Sequence, residues 1–212
     1  MSRPRIESRM SRDYLNPDAP IEKRSGQLPH WEQDEVMQFV TFRLGDSLPK
    51  EKILAWKSQS RAFRNTWPQP WSADVLADYN KRFAVRLERW LDEGAGSCLL
   101  REPGVREIVE EVTMCFQGDR VEHHAWVIMP NHLHLLFKPF VSLESLIKSW
   151  KGVSARKIGK GSIWQPNYRD TLVRDGEHFA NAVRYIRNNP AKAKLRDGSF
   201  TLWESDRAKL VK

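Results

Sequence analysis

Val121 to Lys138 reads VEHHAWVIMPNHLHLLFK, and the fold turns on how this stretch is read. Two runs rich in β-branched and aromatic residues, about Val121 to Met129 and His132 to Lys138, flank Pro130-Asn131, which predicts an antiparallel hairpin. Through His132-Leu133-His134-Leu135 polar and apolar residues alternate, so both imidazoles leave one face of the strand while Leu133 and Leu135 enter a core on the other. Two rings so spaced can reach one divalent ion. With no third strong ligand beside them in sequence, such a site is open and suits Mg²⁺ or Mn²⁺ holding a phosphate better than a closed zinc cage. The competing reading is a strand face that carries histidines without any ligand. His123 and His124 cannot both share the buried face of the first run and are expected at the surface.

Around the hairpin the pattern alternates strands and helices. A strand is expected at Val36 to Leu44 and a helix from Pro49 to about Arg64. Ser72 is placed to cap a long helix to about Glu93, with Val75, Leu76, Tyr79, Phe83, Leu87, Trp90 and Leu91 at helical spacing. A short strand near Ser97 to Leu100 and a helix opened by Pro103 precede the hairpin; a basic helix at about Ser142 to Ile158 follows it. Then come a strand at Tyr168 to Val173 and a helix from Gly176 to Asn189, capped by Asp175 and closed by Pro190. The fold class is therefore α+β, with helices packed on a mostly antiparallel sheet. Residues 1–25 read as a basic arm, mobile or draped on the domain, residues 26–203 as one domain, and residues 204–212 as a tail.

The 212 residues carry 35 Lys and Arg against 27 Asp and Glu, a net charge of +8 that predicts a polyanionic partner. Residues 138–212 hold 16 cations against 7 acids, whereas the preceding part is close to neutral. Within that basic third, Lys148, Trp150, Lys151, Arg156, Lys157, Arg169, Arg174, Arg184 and Arg187 are the candidates for contact with nucleic acid, aromatic rings among cations suiting a single strand. Trp150 and Trp164 fit a core equally well. Two cysteines without a C-x-x-C pair exclude a disulfide framework and a thiolate zinc site. No apolar run is long enough to span a membrane, and the N-terminus lacks an apolar signal region, so a cytoplasmic protein is expected.

In the helix from Gly176 to Asn189, Phe179, Ala182, Val183 and Ile186 form an apolar stripe, and His178, Asn181, Tyr185 and Asn189 a polar one. Tyr185 either borders the core with a wet hydroxyl or serves as a nucleophile, with Asn189 one turn on as a metal ligand. Pro190 disfavours α conformation at Asn189, which places that residue at the fraying end of the helix.

The hairpin Ala125 to Leu136, followed by Tyr185-Ile186-Arg187-Asn188-Asn189-Pro190-Ala191-Lys192-Ala193, resembles the REP-associated tyrosine transposases of the single-tyrosine His-hydrophobic-His (HUH) superfamily. Leu28 to Glu32, Phe39 to Leu44 and Trp164-Gln165 extend the resemblance over about residues 28–203. It implies a ferredoxin-like (RRM-like) sheet with the histidine pair at its centre and a helix presenting one catalytic tyrosine. By position, it implies His132 and His134 as metal ligands, Tyr185 as nucleophile and Asn189 as third ligand, with Tyr168 kept as an alternative nucleophile or a packing residue. It further implies Mg²⁺ or Mn²⁺ and cleavage and rejoining of single-stranded DNA at hairpin-forming palindromic repeats, in a bacterial cytoplasm and on the nucleoid when bound. A monomer is expected, with a homodimer as the alternative. Two other readings stay open: a non-catalytic single-strand-binding protein, and a metal-dependent phosphodiesterase that uses water.

Overall fold

In the computed structural model, residues 13–24 and 30–212 are described. Five strands form one antiparallel sheet: β3 (Gln38–Arg43), β4 (Val121–Ile128), β5 (His132–Pro139), β6 (Arg169–Leu172) and β7 (Thr201–Glu204), in the order β6-β3-β5-β4-β7. A separate two-stranded ribbon pairs β1 (Glu22–Arg24) with β2 (His30–Glu32). The helices are α1 (Lys50–Thr66), α2 (Ala73–Tyr79), α3 (Val85–Asp92), α4 (Pro103–Met114), α5 (Leu143–Ile158), α6 (Gly176–Lys192) and α7 (Asp206–Lys209). Following β3, α4, β4, β5, α5 and β6 gives a βαββαβ unit in which the first strand lies between the third and the fourth, the ferredoxin-like arrangement.

Strand alternation explains why two helix layers are needed. Val40, Phe42, Leu133, Leu135, Trp126 and Ile128 point to the face covered by α4 and α5, where Leu143, Leu146, Ile147 and Trp150 pack on them. Ala125, Val127 and Leu136 point to the other face, under Phe179, Ala182, Val183 and Ile186 of α6 and Ala208 of α7. A strand covered on both sides has no wet face, and every residue of β5 is buried. This overturns the surface placement of His123 and His124, which are 1% and 2% exposed. A bulge between His123 and Ala125 inserts an extra residue into β4. His123 thereby stacks near Phe137 and Trp150 on one side, and His124 meets Phe179 on the other.

Three local readings are corrected. The expected strand near residues 97–100 is a 3₁₀ turn, Leu99–Arg101, because Cys98 takes the left-handed conformation (φ 50°). The helix expected from residue 72 to 93 is capped by Ser72 but interrupted by a π turn at Asn80–Ala84. Pro190 does not close α6; the helix runs through it to Lys192, and Asn189 keeps helical geometry. Strand β7 was not read from the sequence. Of the N-terminal arm, residues 1–12 and 25 lie outside the described residues, as do Leu28 and Pro29, but Asp13 binds Lys138 (2.8 Å) and Arg207 (2.9 Å) and so joins the hairpin to α7. Residues 204–212 also lie on the domain, with Arg187 donating to the carbonyls of Ala208 and Val211.

Candidate active site

The site forms where β5 passes under α6. The turn that starts β5 is fixed from three sides: Leu100 N–H donates to Pro130 O, Leu44 N–H to Asn131 O, and the Asn131 amide to the carbonyls of Leu91 and Ala95. With its Nδ2 committed, Asn131 turns Oδ1 toward His132 Nδ1 at 2.7 Å and accepts that proton. The lone pair of His132 is therefore on Nε2, which faces His134 Nε2 at 3.1 Å. His134 Nδ1 lies 2.8 Å from Thr41 Oγ1, its neighbour across the β3–β5 ladder. Both rings are fully buried. Burial, followed by the partner histidine, holds His132 well below the ordinary imidazole range, and burial, followed by Arg169 and Lys192, brings His134 down to about 3. Both are neutral at pH 7, the state in which imidazole offers a lone pair.

Helix α6 supplies the remaining groups. Because it continues through Pro190, Tyr185 and Asn189 stand one turn apart on the same face. The Tyr185 ring packs edge-on to His134 and Phe39. Asn189 Nδ2 is 3.4 Å from His134 Nε2, and its buried Oδ1 has no partner. Rotating that amide would exchange the two atoms and turn the oxygen toward the histidines. Two neutral nitrogens and one orphaned oxygen make a donor set that fits a divalent cation. Among the described residues no cluster of three His, Cys, Asp or Glu side chains is built to hold a metal.

One functional group was missed from the sequence. Glu88 of α3 accepts the Tyr185 hydroxyl proton at 2.9 Å, approaches His134 Nε2 at 3.7 Å and pairs with Arg169 at 3.1 Å. Burial first, then the Glu88 charge and hydrogen bond, raises the Tyr185 phenol above its usual value. The available signal was an acid between Leu87 and Leu91, on the flank of α3 that turns inward. Its partner stands 97 positions away, which no local pattern reveals.

Residues 100–189 match the family model of the IS200-like transposases, a span that holds both histidines, Tyr185 and Asn189. A Haemophilus influenzae protein described as uncharacterized is 27% identical over 130 aligned residues, which cover 48% of this chain and 66% of that one. A solved REP-associated tyrosine transposase bound to a REP hairpin is 16% identical, with a TM-score of 0.45, over 79% of this chain and 74% of that one.

The structure does not bring the expected DNA-contact residues together. Trp150 is 1% exposed and belongs to the core, a correction to its place among stacking candidates. Lys148, Arg156 and Lys157 lie on α5, on the sheet face opposite Tyr185, and Lys157 is paired with Glu111. Lys151 is a structural cation: its ammonium donates to the carbonyls of Gln165, Pro166 and Asn167, and burial, then Arg43, lowers its pKa to about 8. Arg187 is likewise tied to Glu204 and the C-terminal carbonyls, and Arg184 to Asn181 and the Lys212 carbonyl. Arg174 is exposed at the start of α6, and Arg169 alone reaches the site, through Glu88. Tyr168 is buried in the core under α5, a packing position rather than a nucleophile's.

Proposed function

We propose that this protein is a tyrosine transposase that cuts and rejoins single-stranded DNA by transesterification at hairpin-forming palindromic repeats. The observation that carries the reading is the placing of Tyr185 against His134, with Asn189 completing the donor set one turn along α6. His132, His134 and Asn189 would hold Mg²⁺ or Mn²⁺. When bound, the cation supplies charge stabilisation for the scissile phosphate. The hairpin target rests on the resemblance of the sequence motifs.

The chain's own residues handle the proton and the nucleophile. An ordinary phenol is a poor nucleophile at neutral pH, and here burial and Glu88 hold the proton on more firmly. Glu88 is already its hydrogen-bond acceptor, so it takes the proton as the Tyr185 oxygen bonds to phosphorus. The bond to the 3′ oxygen breaks, leaving a 5′-phosphotyrosine, and the proton taken by Glu88 passes, directly or through water, to the departing oxygen, which becomes the 3′-hydroxyl. Reversal by the same or another 3′-hydroxyl rejoins strands, the bond energy having been kept in the phosphotyrosine ester. Asn131 holds the His132 imidazole in one tautomer, and the Thr41 hydroxyl, which can donate or accept, holds the orientation of the His134 ring.

The test is a labelled single-stranded oligonucleotide carrying a hairpin, incubated with protein and Mn²⁺ and then denatured. A covalent adduct with the wild type that is absent from Tyr185→Phe is expected. An adduct formed equally by Tyr185→Phe refutes the assignment, free fragments alone indicate hydrolysis, and binding without cleavage indicates a non-catalytic protein.

A further inference from the structure

A second feature of the molecule lies outside the family match. Helices α1 to α3 form an excursion between β3 and the 3₁₀ turn, joined internally by Phe63, Trp71, Tyr79 and Phe83. It is seated on the domain at Gly96, where φ is +87° and any Cβ would strike the Asp46 carbonyl, and Ser97 N–H bonds the Asp46 carboxylate. Between the excursion and the edge of the sheet runs a groove of about 460 Å³. One wall is α1, the other is β3 and the 165–169 segment, and one end is the Glu88–Arg169 pair beside Tyr185.

The groove is cationic. Lys57, Arg61 and Arg64 line it at helical offsets of four and three, so they form one stripe along α1. All three are exposed, and neither Lys57 nor Arg61 has a hydrogen-bond or ion-pair partner among the described residues. Glu88, at the far end, is the single carboxylate of the lining, and it is already neutralised by Arg169. Trp56, half-buried, adds aromatic surface. Exposed cations one turn apart, two of them without a partner and Arg64 bonded to the Ser60 carbonyl of its own helix, suit a phosphodiester chain whose bases are unstacked, and the groove is far too small for a duplex.

We infer that this groove holds the single-stranded DNA segment that leads to the scissile phosphate, with Lys57, Arg61 and Arg64 on successive phosphates. The inference rests on the proposed function and adds the path of the strand, which runs over the part of the chain that is neutral overall and not along the basic helix α5. Cations clustered on one stripe bind a polyanion regardless of the surrounding net charge.

The test measures anisotropy of a labelled unpaired oligonucleotide between 50 and 200 mM salt for the full chain. Lys57→Gln/Arg61→Gln/Arg64→Gln is compared with Lys148→Gln/Arg156→Gln/Lys157→Gln, which removes as much charge from the opposite face. Each phosphate that the protein no longer neutralises lowers the slope of log affinity against log salt by about 0.7, so the groove variant should lose about 2 from the slope, and the α5 variant much less. Over the fourfold change in salt this makes the wild type's affinity fall about 20-fold further than the groove variant's. Equal losses from the two variants, or none from the groove variant, overturn the inference. The covalent-adduct assay on the wild type with a hairpin substrate decides the catalytic reading separately, since a wild type that forms adduct while the groove variant keeps its full salt slope refutes the groove alone.

Discussion

Lowering the pH from 7 to 5 should destabilise the fold through His123, and the size of the effect follows from its surroundings. The ring lies between Phe137 and Trp150, its Nε2 meets the Thr113 carbonyl at 3.1 Å, and its Nδ1 is buried without a partner. Burial outweighs the help of the Thr113 carbonyl and brings its pKa from 6.5 to about 4. The folded value is below the unfolded one, so between these two values the unfolded chain binds the proton that the folded chain refuses. Stability is therefore complete above pH 6.5 and drains away as the pH falls toward 4, where the loss levels off. At about 1.4 kcal/mol per pH unit the full loss is ~3 kcal/mol, and ~2 kcal/mol of it is spent between pH 7 and pH 5. The comparison is with His123→Gln, whose amide can still donate to Thr113 but does not titrate. Urea unfolding followed by the fluorescence of the nine tryptophans, with chelator present, gives the stability of each protein at both pH values. His124, His132 and His134 titrate in both proteins, so their contribution cancels in the difference. The variant should start less stable at pH 7 and lose ~2 kcal/mol less on acidification. Parallel losses would show that His123 is protonated as easily in the fold as outside it, and the burial argument would fail.

Three further outcomes are expected. Glu88→Gln should slow single-turnover adduct formation by about 10²- to 10⁴-fold, the range of a lost general base, while leaving oligonucleotide affinity within a few-fold of wild type; an unchanged rate removes Glu88 from the proton path. Chelation should abolish adduct formation and added Mn²⁺ restore it, and Asn189→Ala should raise the Mn²⁺ concentration for half-maximal rate by at least about 10-fold, read from a titration of rate against metal. Asp13→Asn should cost about 2 kcal/mol in urea unfolding, because Lys138, whose side chain is 6% exposed, loses its 2.8 Å partner and Arg207 loses its own; a cost below about 0.5 kcal/mol would mean that the arm contributes little to holding the hairpin against α7.

What could be read from the sequence divides along the range of the interactions. The hairpin was legible because alternation and a two-residue turn are written within eighteen neighbouring positions, and Tyr185 with Asn189 because a helix repeats every 3.6 residues. His123 and His124 were misplaced because a bulge changes the register without any marker as plain as Gly or Pro, and because burial of both sheet faces depends on α6 and α7, far along the chain. Pro190 gave a false stop: the rule that a proline ends a helix weighs one lost hydrogen bond against isolated helix propensity, whereas here Asn189, Pro190 and Ile186 are buried and tertiary packing outweighs that loss. The charge count misled in a more instructive way. Lys151, Arg187 and the buried Arg106, which donates to the carbonyls of Leu100, Arg101 and Gly198, satisfy backbone acceptors, so their charge is committed to the fold. Conversely, Lys57, Arg61 and Arg64 belong to a part of the chain with no excess of charge, yet all three are exposed on one stripe. Net charge sums over both kinds of cation, and only the structure separates those that hold the protein together from those left to meet a phosphate. For a polyanion ligand the relevant quantity is the density of unpaired cations along a path that ends at the nucleophile, and among the described residues that path runs from α1 past Arg169 to Tyr185.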